Sequence, residues 1–322
     1  MKGGRLAIAL ALLTITLAPC AARAEWVRDS VSIAWVSKGA TLWRFSFDPK
    51  SGKPFFNPIA LAGNPSLTNF KPEDHPWHYG LWFSWKYINH VNYWEEDRTS
   101  GQAAGSTRWS NPVIDARPDG SATITMDVTY AKTTGEVDMT EARVLTVSAP
   151  ASDGSFTIDW DMRFVAGKDG AELDRTPMPG EPNGAVNGGY AGLSVRLAPL
   201  AMSVVSTEGP VTEFPGSRAR PNAAAVAGNF ADGDKQIGGI AMLSDAANIG
   251  EKAPWYVINQ ERDKFRFICA AILAPAVRKL PAGGTWNLKY RVAVRPTAWT
   301  QEGLSSALAS WNRARGVTGN SH

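Results

Sequence analysis

Three stretches of this chain alternate apolar and polar residues with period two, over nine residues each. In the first, Ala122, Ile124, Met126, Val128 and Tyr130 alternate with Thr123, Thr125, Asp127 and Thr129. In the second, Phe156, Ile158, Trp160, Met162 and Phe164 alternate with Thr157, Asp159, Asp161 and Arg163. In the third, Trp286, Leu288, Tyr290, Val292 and Val294 alternate with Asn287, Lys289, Arg291 and Ala293. Successive side chains of a strand point to opposite faces, so each stretch predicts a strand with one apolar face in a core. Antiparallel sheets tolerate a polar second face, and parallel sheets do not.

Weaker strand patterns lie at 31–36, 41–47, 80–85, 106–114, 137–147, 192–198, 237–243 and 264–272, with turn residues at Pro118-Asp119-Gly120, Asp153-Gly154 and Pro281-Ala282-Gly283-Gly284. One segment reads as a helix. Thr300 can cap it, and Leu304, Ala307, Leu308 and Trp311 share a face at helical spacing. The expected fold is all-β: a large antiparallel β-sandwich of roughly a dozen strands with a C-terminal helix. No linker, charge block or internal repeat divides 25–322, which is expected to form a single domain. The longest irregular stretch, Gly167–Gly189, reads either as a cleft wall or as a surface insertion.

Residues 1–24 read as a secretory signal peptide. Lys2 and Arg5 precede the apolar run Leu6–Leu17, and Ala22-Arg23-Ala24 supplies a cleavage pattern. The expectation is export to the periplasm or beyond. The chain has 33 basic and 30 acidic residues, and Lys2, Arg5 and Arg23 belong to the leader, so the mature chain balances at 30 of each. Such a chain has no global basic field for a nucleic-acid backbone or an anionic membrane. Cys20 leaves with the leader, and Cys269 is then unpaired. Its position after Phe265 and Phe267 at alternate places predicts a buried structural thiol.

Candidate chemistry concentrates in residues 74–98. His75, His78 and His90 are every histidine but the terminal His322, and Trp77, Trp82, Trp85, Trp94, Glu95 and Glu96 lie with them. Imidazole transfers protons near neutral pH. Pro76 biases His75 toward extended backbone, so the His75-x-x-His78 pair is expected in a loop leading into a strand. The bland alternative is that these histidines satisfy backbone groups under the aromatic residues. With a carboxylate from Asp74, Glu95 or Glu96, the three histidines could instead hold a metal, although their spacing matches no established metal motif. Of the aromatic residues here, alternation sends about half inward. One or two exposed rings, with Trp77, Tyr93 and Trp94 as candidates, would suffice to stack on a sugar. Farther along, Glu213 and Arg218 flank a tight turn with Arg220, and arginine forks suit carboxylates such as those of uronic acids. Tyr190 and Arg196 follow the long irregular stretch.

The run D-H-P-W-H-Y-G-L-W-F-S-W at 74–85, with N-H-V-N-Y-W at 89–94, resembles the D-H-P-x-H-x-G-L-W-F hallmark of a bacterial family of unknown function often labelled "methane oxygenase PmoA-like". G-L-S-V-R at 192–196 and L-P-A-G-G-T-W-N-L-K-Y-R-V at 280–292 resemble its later blocks. A particulate methane oxygenase subunit spans a membrane with helices, which a β-rich exported chain does not match. The resemblance more readily implies a secreted protein of polysaccharide-degrading bacteria with a galactose-mutarotase-like sandwich. By that analogy His75 and His78 would be acid/base or oxygen-binding groups, and Glu95 or Glu213 a partner carboxylate.

The combined expectation is a secreted carbohydrate-active enzyme, of glycoside hydrolase or polysaccharide lyase type, that needs no cofactor. His75, His78 and Glu95 are its catalytic candidates. Trp77, His90, Tyr93, Trp94, Tyr190, Arg196, Glu213 and Arg218 are its substrate-binding candidates. A non-catalytic glycan-binding protein and a metal-dependent oxidoreductase are the alternatives.

Overall fold

A computed structural model describes residues 24–316. The expected leader therefore lies outside the described residues except for Ala24. Two large antiparallel sheets face each other. In the first, the strands run in the order Glu25–Arg28, Ser32–Ser37, Ala40–Ser46, Phe55–Ile59, Leu81–Ser84, Gly192–Leu197, Phe265–Ala270, Ala253–Gln260 and Arg218–Ala219. The second runs Gly209–Val211, Ala201–Ser206, Ala225–Asp232, Lys235–Ser244, Thr285–Arg295, Phe156–Ala166, Val137–Val147, Ala122–Lys132 and Gly105–Trp109. A small sheet orders Arg278–Leu280, Ala171–Asp174, Tyr87–Ile88 and Val91–Asn92. The all-β antiparallel sandwich with its closing helix is thus present.

The three alternating stretches are long strands of the second sheet: Trp160 pairs with Tyr290, and Ile124 pairs with Leu145 of Val137–Val147, the strand between Phe156–Ala166 and Ala122–Lys132. Their apolar residues form the core between the sheets, against Leu81, Phe83, Leu193, Val195, Val257 and Ile268 of the first. Those first-sheet strands are also buried on their other face. There Phe55, Trp82, Tyr256, Phe267 and Cys269 build a separate apolar cluster under the segments at 71–79 and 93–96. Cys269 is fully buried, and burial pushes its thiol up to about 12, as a structural role requires.

The helix Gln301–Ala314 is capped by Thr300, whose hydroxyl accepts from the Gly303 N–H at 3.1 Å. It lies on the outer face of the second sheet, where Ala225, Ala227, Ala241 and Ala293 leave room for Leu304 and Trp311. The stretch expected as one strand at 106–114 is two, Gly105–Trp109 and Val113–Ala116. Pro112 has no N–H to donate to a continuous ladder. The irregular stretch 167–189 likewise contains a strand, Ala171–Asp174, which pairs with Tyr87–Ile88.

Trp311 is buried, with the Arg315 guanidinium 3.9 Å from its ring centre. Replacing it with alanine should cost about 3–5 kcal/mol through the cavity left behind. Urea unfolding of Trp311→Ala is expected to show that loss with an unchanged slope. Ligand binding on the opposite sheet should be unaffected.

Candidate functional site

The histidine loop is built from two successive turns. The His75 N–H donates to Pro72 O and the His78 N–H to His75 O, both at 3.0 Å, and the Lys71 N–H returns to His78 O at 2.8 Å. The turns bring residues three apart onto one side, and the two imidazoles stack with centres 4.7 Å apart. Gly80 ends the loop at φ +75°, where a Cβ would stand 2.5 Å from Phe56 O. Only glycine passes there without strain. Arg98 straps the loop from outside, its guanidinium donating to Glu73 O at 2.9 Å and Asp74 O at 2.7 Å and covering the Trp77 ring.

Charge organises the pair of rings. Arg196 is buried, rests 3.6 Å from the Phe265 ring centre, and donates through Nη2 to both Asp74 oxygens at 3.1 and 2.8 Å. Asp74 in turn faces His75 Nδ1 at 3.0 Å. Burial raises the Asp74 carboxyl, but Arg196 and His75 outweigh it and hold it below the usual range. An ionised carboxylate only accepts, so Nδ1 carries the His75 proton and Nε2 is left as the basic nitrogen. Burial lowers His75 despite Asp74, and Arg196 and Arg98 add to the lowering. His78 is lowered further by burial, with His75, Arg196 and Lys53 nearby, and stacks on Phe267 at 5.1 Å. Its Nδ1 is buried without a hydrogen-bond partner. Both imidazoles are therefore neutral at neutral pH.

Opposite them, Asn92 shapes the next segment. Its Oδ1 accepts from the N–H groups of Trp94 (2.8 Å) and Glu95 (3.2 Å), and its Nδ2 donates to Glu95 Oε2 at 2.7 Å. Lys86, itself buried, forms an ion pair with the same oxygen. The Tyr190 hydroxyl donates to Glu95 Oε1 at 2.5 Å. Burial alone would raise the Glu95 carboxyl, yet Lys86 and these donors hold it below the usual range, so it is charged. Burial and the Glu95 charge push the Tyr190 phenol up. Burial also raises the Tyr256 phenol, whose oxygen accepts from Arg218 Nε at 3.0 Å.

His75, Trp77, His78, Trp94, Glu95, Tyr190 and Arg218 line one cleft of about 180 Å³, floored by Tyr256, Phe265 and Phe267 and edged by Asn187. The structure thus brings together seven of the eleven expected site residues. The other four lie elsewhere. Asn89 and His90, at φ +49° and +64°, form the two-residue turn between Tyr87–Ile88 and Val91–Asn92. His90 is 80 % exposed there and 3.7 Å from Glu172, so it does not join the other histidines. Tyr93 points the other way from Trp94, into the core, and donates to Asp138 Oδ2 at 2.8 Å. Arg196 lies behind the histidines and not in the cleft wall. Glu213 lines a neighbouring cleft. Among the described residues, no three His, Cys, Asp or Glu side chains converge as a metal site.

Sequence reasoning missed Tyr256, Phe267 and Asn187 as lining residues, and Lys53 and Lys86 as supports. Lys53 is buried and donates to Glu96 Oε1 at 2.7 Å and Trp94 O at 3.0 Å, while the Tyr79 hydroxyl donates to Glu96 Oε2 at 2.6 Å. Gly52 is required beside them, since a Cβ there would sit 1.9 Å from Glu96 Oε1.

Residues 32–309 match the model of a family of unknown function (DUF6807), and the chain belongs to that family. No curated protein matches it in sequence. Solved structures with similar outlines include an alpha-galactosidase from Lactobacillus brevis, at 10 % identity and a TM-score of 0.45, covering 90 % of this chain and 41 % of that one. The galactosidase domain of an alpha-galactosidase-sucrose kinase aligns at 8 % identity and a TM-score of 0.42, covering 83 % of this chain and 40 % of that one. A candidate aldose 1-epimerase from Klebsiella pneumoniae aligns at 10 % identity and a TM-score of 0.38, covering 90 % and 84 % respectively. The chain spans about two fifths of the first two.

Lys53→Met would leave Glu96 buried with Tyr79 as its remaining side-chain donor. It should cost about 3–5 kcal/mol, as breaking a buried pair does. The double variant Lys53→Met/Glu96→Leu should recover much of the loss in guanidinium unfolding. Equal losses in the single and double variants would show that the pair is not what holds this segment.

Proposed function

We propose that the protein is a carbohydrate-active enzyme that modifies a glycan by general acid/base catalysis in the cleft between the histidine loop and Glu95. The observation that carries this reading is the convergence of a neutral imidazole oriented by an Arg196–Asp74 pair, an ionised carboxylate held by Lys86, and a ring-lined floor. Flat rings with a few fixed polar groups suit a sugar, which presents apolar C–H faces and a rim of hydroxyls.

His75 Nε2 is the base. Asp74 keeps its ring in one tautomer and supports the imidazolium that forms when it takes a proton. The Tyr190 oxygen, whose proton is directed to Glu95, can accept from a sugar hydroxyl. The Tyr256 oxygen accepts from Arg218, which leaves its own O–H to donate. Glu95, held ionised in the cleft wall, has lone pairs left to accept from a sugar hydroxyl. Hydrolysis between two carboxylates asks for a second one across the bond. In this cleft Glu95 is the lining carboxylate, while Asp74 is engaged with Arg196 and His75. Proton-transfer chemistry of the elimination or isomerisation kind is therefore favoured over two-carboxylate hydrolysis.

The ring-lined floor also favours a second reading, a glycan-binding protein without turnover. The D-H-P-x-H-x-G-L-W-F pattern supplies the histidine loop of this site. Among the described residues no helix is long and apolar enough to cross a membrane. A periplasmic or secreted location completes the proposal and rests on the leader pattern of residues 1–24.

The test is a panel of polysaccharides and oligosaccharides offered to the mature protein, read for new reducing ends and for the ultraviolet absorbance of unsaturated products. Where turnover is found, His75→Ala should lower kcat by about 10²-fold or more, with glycan affinity retained. Retained binding with no turnover by the unaltered protein would establish the second reading. The pH profile follows from the lowered histidine. The base works when neutral, so kcat/KM should hold as pH falls past the usual 6.5 and drop only below it. An acidic limb above that value would mean that His75 is not the base.

A further inference from the structure

The proposed cleft adjoins a second one. About 180 Å³ is roughly six times the share of one water molecule in the liquid. That is less than the ~300–1,000 Å³ of sites for drug-sized ligands. The first cleft therefore accommodates about one sugar ring and not a chain. Arg218 lines it and also lines a neighbouring cleft of about 710 Å³. The two share a wall as well, since Asn187 edges the first and Val186 the second.

This junction is fixed in place. Arg218 donates through Nε to the Tyr256 hydroxyl oxygen at 3.0 Å and through Nη1 to Gly216 O at 2.6 Å. The turn beneath it has Gly216 and Ser217 at φ +59° and +67°. Arg220 lies 4.5 Å from the Tyr256 ring centre and donates through Nη2 to Val186 O at 3.1 Å and Gly188 O at 2.6 Å, tying the shared wall to the cleft floor. A preassembled wall of this kind lowers the ordering cost of binding. The second cleft mixes apolar faces of Pro179, Val186, Pro210 and Pro215 with the polar groups of Glu213 and Asn222. That mixture matches the alternation of C–H faces and hydroxyls along a glycan.

We propose that the second cleft holds the continuation of the glycan, so that the substrate is an oligosaccharide crossing Arg218 with one ring beside His75 and Glu95. The inference rests on the saccharide reading of the first cleft. Arg218 takes oxygen acceptors of the unit at the crossing. Glu213, which does not face the histidines, contacts the units beyond it.

Calorimetric titration tests this with glucose, galactose, glucuronic acid and galacturonic acid, each beside its linked oligosaccharides of increasing length. The unaltered protein should bind an oligosaccharide about tenfold or more tightly than its monosaccharide. Val186→Trp, which fills the second cleft from an exposed position, should bring that ratio close to one, and Pro210→Trp, at another lining position, should do the same. Thermal melting checks that both variants remain folded. A ratio near one in the unaltered protein would overturn the inference and leave the first cleft as a monosaccharide site. A high ratio that survives both tryptophans would overturn it too, because the chain would leave by another route. Binding of neither monosaccharide nor oligosaccharide would remove the saccharide reading and the inference with it.

Discussion

Everything distinctive about this protein depends on the central strands of the first sheet being buried on both faces. Leu81, Phe83, Leu193, Val195, Ile268 and Ala270 fill the sandwich core, while Trp82, Phe267 and Cys269 face the other way, beneath the histidine loop. Ser194 and Cys269 pair across the ladder. The side-chain period of a strand is two, so a slip of one residue would exchange the two sets. The sandwich core fixes the register, and the register delivers the floor of the cleft. Fold stability and site geometry are coupled through these strands.

The covering layer is held differently. Apolar contact alone would not place loops to within hydrogen-bonding tolerance, and here buried charge does it. Lys53, Glu96 and Tyr79 join the start of the strand at 55–59, the histidine loop and the segment after Trp94. Arg196 and Asp74 join the first sheet to the same loop. Lys53 and Glu96 both give up hydration and have value only together, so their pair specifies position more than it adds stability, while Asp74 keeps part of its hydration. They also set the chemistry. Cations surround the two histidines, so protonation there is disfavoured by burial and by Arg196 together. Burial and Arg196 keep His75 neutral against the Asp74 carboxylate, which favours its protonated form.

The second sheet was far more legible in the sequence than the first, for a reason visible residue by residue. Its strands Phe156–Ala166 and Thr285–Arg295 turn one face to solvent, and a polar face makes the alternation plain. Val137–Val147 reads weakly because Glu141 and Arg143 occupy inward positions, paired there with each other and, through Glu141, with the Tyr130 hydroxyl. In the first sheet, Leu81–Ser84 and Phe265–Ala270 are buried throughout and show no alternation to read. The histidine loop was legible through composition, since imidazoles and rings crowd one segment. Its supports were not. Lys53 and Lys86 look like ordinary charges until the fold sets them on Glu96 and Glu95, and Arg196, expected to touch substrate, lies behind His75 on Asp74 instead. His90 and Tyr93 misled for the opposite reason. They are neighbours of the site in sequence, but a two-residue turn removes one and strand alternation inverts the other.

The two sheets therefore divide the work, and the division explains where chemistry can sit. The second sheet packs the helix Gln301–Ala314 over alanines on part of its outer face. The first sheet closes its outer face with loops of mixed polar and aromatic character, and a gap remains between the histidine loop and the segment at Trp94 and Glu95. A gap beside stacked rings, floored by a rigid ladder and edged by charges that already have partners, is a place where a polar ligand can replace water at little cost to the protein. Arg218 and the wall tied down by Arg220 extend that gap sideways along the sheet edge instead of downward into the core. A ligand suited to such a space is long, flat-faced and rich in oxygen, and it lies across the strands without penetrating the sandwich.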